Sequence, residues 1–151
     1  MLAYDEANDV GSEEFGLKLG LNADIGANGN LIVQGYYASG ATVYGATIEK
    51  EVGGSDSLFT PEWSILAGYN QDVTSEVQVY VNGQYFSDLY SAANSNTGAN
   101  AWSIGAGVGW EPVNNFKVTA EADYLDIDAS SGIDSDDLEE WRFVVELRRD
   151  F

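Results

Sequence analysis

Trp102-Ser103-Ile104-Gly105-Ala106-Gly107-Val108-Gly109-Trp110 alternates without a lapse. Trp102, Ile104, Ala106, Val108 and Trp110 share one parity; Ser103, Gly105, Gly107 and Gly109 share the other, which Glu111 continues. A period of two puts successive side chains on opposite faces of a strand, so the stretch predicts one apolar face and one small, polar face. Working outward, the same pattern recurs. Before it, Val77, Val79, Val81, Gly83 and Tyr85 alternate with Gln78, Tyr80, Asn82, Gln84 and Phe86. After it, Phe116, Val118, Ala120, Ala122 and Tyr124 alternate with Lys117, Thr119, Glu121 and Asp123. Further strands are predicted over Phe15 to Ile25, Leu31 to Ala38, Trp63 to Asn70 and Trp141 to Phe151, seven in all. Composition agrees: seventeen glycines and nineteen aromatics stand against one methionine and two prolines, which favours strands over helices.

The connections alternate in length. They are short at 26 to 29, 71 to 75 and 112 to 115, and long at about 39 to 61, 87 to 101 and 126 to 140. The Ser91 to Asn100 stretch, rich in Asn, Ser and Ala, is expected to be exposed. A meander with two unlike ends is the pattern of outer-membrane barrels, whose turns are tight on the periplasmic side and long outside. No run of about 18 apolar residues is present, so a transmembrane helix is ruled out and a spanning barrel is not.

A soluble seven-stranded sandwich would alternate in the same way. Two details favour the bilayer. Aromatics gather at strand ends on the apolar face, at Phe15, Tyr37, Trp63, Tyr69, Tyr85, Trp102, Trp110, Phe116, Tyr124, Trp141 and Phe151, as interfacial girdles do. The opposite face carries Lys18, Asp24, Lys117, Glu121, Asp123, Arg142, Glu146 and Arg148, which would be costly in a dry core and suit a wet lumen. These eight, with Asp150, are the candidate pore-lining residues, setting a field across the path of passing solutes. Pairing along the wall is the alternative reading.

Six Lys and Arg against twenty-five Asp and Glu give a formal charge of -19, which repels nucleic-acid phosphates and excludes DNA and RNA as partners. With no cysteine and no histidine, the chain offers no thiolate and no imidazole base; Ser64 and Ser103 have no histidine to activate them. No enzymatic activity and no cofactor are expected. Asp126 to Asp137 approaches a calcium loop, but its glycine falls at position seven rather than six and it ends in Asp rather than Glu. A solvated acidic loop is expected there, with no metal. The glycines 105, 107 and 109 lie in a strand rather than before a helix, so they are not read as a phosphate cradle.

The ending Glu140-Trp141-Arg142-Phe143-Val144-Val145-Glu146-Leu147-Arg148-Arg149-Asp150-Phe151 resembles the closing strand of a porin. Val33-Gln34-Gly35-Tyr36-Tyr37-Ala38-Ser39 and Glu111-Pro112-Val113-Asn114-Asn115-Phe116-Lys117-Val118-Thr119 resemble a strand and the penultimate turn and strand of the general-diffusion porins of alphaproteobacteria. Ala3-Tyr4-Asp5 resembles the end of an earlier strand. The resemblance implies an all-β, antiparallel up-and-down transmembrane β-barrel in the bacterial outer membrane. Seven to eight strands of a larger 16-stranded, trimeric barrel would be present. It also implies contact with outer-membrane lipid and lipopolysaccharide, passage of small hydrophilic solutes and ions, and Phe151 as a signal for the outer-membrane assembly machinery. The family's constriction loop lies in its N-terminal half and maps to no position here. Residues 1–151 are thus expected to form one barrel domain of an N-terminally truncated porin, since odd strand counts do not close bacterial barrels. A small barrel of about eight strands, completed by the Met1 to Asp5 stub, is the alternative. The opening residues carry no secretory signal, so upstream sequence is expected. Functionally, a passive channel is expected; a structural or adhesive barrel displaying acidic loops is the alternative.

Overall fold

The computed structural model describes residues 2–5, 14–39, 48–52, 55–91, 97–128 and 139–150. They form β1 (Leu2–Asp5), β2 (Glu14–Ile25), β3 (Gly29–Ala38), β4 (Ile48–Val52), β5 (Ser55–Asp72), β6 (Val77–Ser91), β7 (Asn100–Val113), β8 (Phe116–Asp128) and β9 (Glu139–Arg149). All lie in one antiparallel sheet ordered β1-β2-β3-β5-β6-β7-β8-β9, with β4 paired to β5 off this path. Every neighbour on the path is the next strand in sequence apart from β4, as an up-and-down meander requires. Among the described residues β9 pairs only with β8 and β1 only with β2, so the path is open at both edges.

The seven expected strands correspond to β2, β3 and β5 to β9, and two more are present. The Met1 to Asp5 stub contributes β1, paired with β2 from Leu2 opposite Leu17 to Asp5 opposite Glu14. The connection expected over 39 to 61 contains β4, and β5 begins at Ser55 rather than Trp63. At 18 and 15 residues, β5 and β6 exceed the roughly 9 to 11 residues that cross a bilayer as tilted strands, so their upper halves extend past it.

The short turns are stitched to the strand that follows. Asp72 N–H donates to the Asn28 carbonyl, Glu111 N–H to that of Glu76 and Asp150 N–H to that of Asn115, at 2.8 to 3.0 Å. Gly26 and Asn115 take positive φ at 68° and 66°, the backbone region open to Gly and tolerated by Asn in tight turns.

Register carries the alternation across the whole sheet. Leu21 faces Val33, Val33 faces Ala67, Val81 faces Ala106, Ala106 faces Ala122 and Ala122 faces Phe143. One face is therefore apolar from β2 to β9, and it is the exposed face: Leu19 is 66 % accessible, Phe143 73 % and Val145 71 %. On the central strands the polar face is the covered one, with Gly105 and Gly109 buried and Ser64 at 4 %, while β9 is exposed on both faces. Over the central strands this is the inverse of a soluble core. An exposed apolar face spanning seven strands is far beyond the few hundred Å² that a soluble monomer shows; hydrocarbon is the medium that suits it.

The apolar face is banded. Phe15–Tyr37, Trp63–Tyr85, Trp102–Tyr124 and Tyr124–Trp141 have ring centroids 5.9, 5.4, 5.1 and 4.9 Å apart, making a continuous aromatic row at the long-connection end. Tyr69, Trp110 and Phe116 form a sparser row at the short-turn end. Trp102 and Trp110 are eight residues apart, about 26 Å along a strand and near 20 Å once tilted, close to the apolar height of an outer-membrane barrel.

Among the described residues one conventional core exists, at the long-connection end. Ile48, Phe59, Phe86, Leu89, Ala99, Ala101 and Ile127 cluster there, with Leu125 against them. Asp88 takes φ 53°, and Phe86 and Leu89, three residues apart across it, enter the same cluster. The Asn100 carboxamide oxygen accepts from Asp88 N–H at 3.2 Å and from Ser87 Oγ at 3.1 Å, holding that kink. Residues 92–96 of the connection expected to be exposed lie outside the described residues; at 97–100 the expectation is corrected in part, since Ala99 is fully buried and Thr97 Oγ1 donates to the Leu89 carbonyl at 2.7 Å.

Candidate functional site: the polar wall

The polar face is built in rungs that cross β6, β7, β8 and β9, and each central rung has a glycine on β7. In the first, Asn82 pairs with Gly105, Gly105 with Asp123 and Asp123 with Arg142. In the second, Tyr80, Gly107, Glu121 and Val144 stand in line; in the third, Gln78, Gly109, Thr119 and Glu146. The glycines are vacancies over which neighbours lie. A Cβ on Gly107 would overlap the Tyr80 ring, one on Gly105 would overlap the Asp123 carboxylate, and one on Gly109 would come within 3.0 Å of Lys117 Cε.

Because Gly107 has no side chain, Tyr80 reaches across β7 and its hydroxyl donates to Glu121 Oε2 at 2.5 Å. Arg142 closes the group, with its guanidinium 3.1 Å from Asp123 Oδ2 and 3.8 Å from Glu121 Oε1. At 63 % exposure the arginine faces open space, and a pair so placed adds little stability.

The other sequence-derived candidates occupy the same face. Asp24 accepts from Asn30 Nδ2 at 3.1 Å. Lys18 stands opposite Tyr36. Lys117 borders a recess of about 440 Å³ at the short-turn end with Asp72, Glu76 and Glu111. Glu146 lies opposite Thr119. Arg148 pairs with Asp150 at 3.1 Å. Lys18, Lys117, Arg142 and Arg148 stand against Asp24, Glu121, Asp123, Glu146 and Asp150, so these nine carry a net charge of -1 and nearly all of the formal -19 resides elsewhere. Phe151 and residues 129 to 138 of the acidic connection lie outside the described residues.

Sequence reasoning did not find Tyr80 and Asn82, which join these charges across the sheet, nor Ile48. Ile48 borders a recess of about 290 Å³ together with Asn82, Ser103, Asp123 and Arg142. Polar-face parity was the available signal for the first two; for the hairpin that carries Ile48 it was the Gly53-Gly54 dipeptide, a common turn sequence.

The porin subfamily matches residues 2–145. The chain belongs to the porin family. Its sheet is the wall of such a protein, and the family places it in the outer membrane among channels rather than enzymes. No curated protein and no solved structure matches the chain.

Proposed function

We propose that this porin chain is one stretch of the wall of a passive, water-filled channel for small hydrophilic solutes and ions. The observation that carries the reading is the inverted burial of the central strands, with large apolar side chains exposed on one face and charges of both signs on the other. A wall of mixed charges with an arginine open to solvent can attract and align solutes without a site that retains them. Residues 1–151 act as a single barrel domain within a larger porin. An open strand edge within hydrocarbon leaves backbone groups unsatisfied, so β1 and β9 take further strands as neighbours. The assembled channel is a homotrimer held in lipid and lipopolysaccharide, and Phe151 serves its insertion by the outer-membrane assembly machinery.

Planar-bilayer recording of the full-length gene product tests the reading. Stepwise openings with a weak preference among small ions are expected. A folded barrel that stays silent would overturn it in favour of a structural or adhesive barrel.

A further inference from the structure

Two neighbouring rungs of the polar face share a hollow. In one, Gln84, Ser103, Leu125 and Glu140 stand in line across β6 to β9; in the next, Asn82, Gly105, Asp123 and Arg142. The recess of about 290 Å³ is bordered by the polar groups of Asn82, Ser103, Asp123, Glu140 and Arg142, and also by Phe86 and Leu125. Gly105 shapes it. A Cβ there would overlap the Asp123 carboxylate and come within 3.0 Å of Asn82 Nδ2, so both side chains lean over β7 from its two sides. Arg142 has five N–H donors, of which Nε and Nη2 approach a single oxygen, Asp123 Oδ2, at 3.4 and 3.1 Å. A planar fork this incompletely engaged, on a side chain 63 % exposed, can still receive a second carboxylate in bidentate fashion. A lone cation at this recess is drawn by Asp123 and Glu140 and repelled by Arg142, and a lone anion meets the reverse. A solute with both charges on one small frame is attracted at both ends. Phe86 belongs to the apolar cluster and Leu125 packs against it, which gives the recess a border suited to an aliphatic group. Its volume lies at the lower limit of the roughly 300–1,000 Å³ of small-molecule sites, so the solute is small.

We propose that this recess is a weak subsite for zwitterionic α-amino acids. The α-carboxylate lies on Arg142, the α-ammonium between Asp123 and Glu140, and an aliphatic side chain against Leu125 and Phe86. The inference rests on the channel reading and names the solute class that this part of the wall favours. Arg142 and Glu140 are open to water, so the attraction is shallow and the solute leaves as readily as it arrives, as conduction requires.

The test uses the full-length gene product in proteoliposomes, with labelled L-leucine as the probe and mannitol as an uncharged solute of similar size. Leucine entry is expected to saturate in the millimolar range while mannitol entry stays linear. Unlabelled leucine should slow the labelled solute. Leucinamide, which lacks the carboxylate, and isocaproate, which lacks the ammonium, should each compete at least about threefold more weakly. Arg142→Gln and Glu140→Gln are each expected to lower the ratio of leucine to mannitol entry by about threefold. Leucine entry that stays linear and tracks mannitol would overturn the subsite and leave the channel reading intact. So would either single-charge analogue competing as well as leucine, or a ratio unchanged in both variants. A parent that passes neither solute overturns both readings. The saturation and competition arms need only the parent protein, so they decide the matter even where a variant does not assemble.

Discussion

Gly107 sits between Tyr80 and Glu121, and its missing side chain lets the tyrosine hydroxyl cross a whole strand to reach the carboxylate. Gly107→Ala puts a methyl into the Tyr80 ring, so overpacking is expected to cost about 1–3 kcal/mol in urea unfolding from lipid vesicles. In a Tyr80→Ala background the same change should cost close to nothing, because the ring it strikes is gone; equal costs in both backgrounds would refute the contact. Arg142 makes the opposite prediction. As its ion pairs are largely exposed, Arg142→Gln should alter stability by less than about 1 kcal/mol, yet shift the reversal potential of the channel toward cations. The sequence placed Arg142, Asp123 and Glu121 on one face because alternation reports which side a residue takes. It did not reveal Tyr80 over Gly107, since alternation says nothing about the register between neighbouring strands.

At the scale of the strand, β7 separates its two faces so sharply that the same substitution should have opposite outcomes at neighbouring sites. Ala106 lies midway between Trp102 and Trp110 on the apolar face, so Ala106→Arg should cost about 2–4 kcal/mol, the penalty for a charge near the bilayer midplane. Ser103→Arg, on the polar face, should fold like the parent and change conductance alone; heat-modified gel mobility after folding into vesicles reads both. The strands that span were legible because lipid on one side and water on the other impose the alternation. β4 and the first part of β5 were not, because beyond the aromatic row the two-residue period lapses. Pro61 added to the miss: it lacks an N–H and argues against a strand, but it lies buried opposite Leu89, beside the kink at Asp88, where the ladder is already irregular.

For the molecule as a whole, charge is divided by height. The candidate wall residues cancel to within one charge, so most of the acidic excess lies away from them, in the rims and connections. Cation preference in the assembled channel should therefore arise at the mouths and fade as salt rises from about 0.1 to 1 M, where the screening length falls from about 10 to 3 Å. A preference that persists at 1 M would place the selecting charges within the wall instead.

The aromatic banding also makes this chain a gauge of its own sidedness. Trp63, Trp102 and Trp141 stand in the row at the long-connection end, and Trp110 alone marks the other. A quencher confined to one leaflet of a vesicle should thus extinguish most of the indole emission from one direction of insertion and only a minor share from the reverse. With Trp110→Phe every indole of this stretch reports from a single leaflet, and the direction in which the barrel entered the membrane can be read from fluorescence without any attached label.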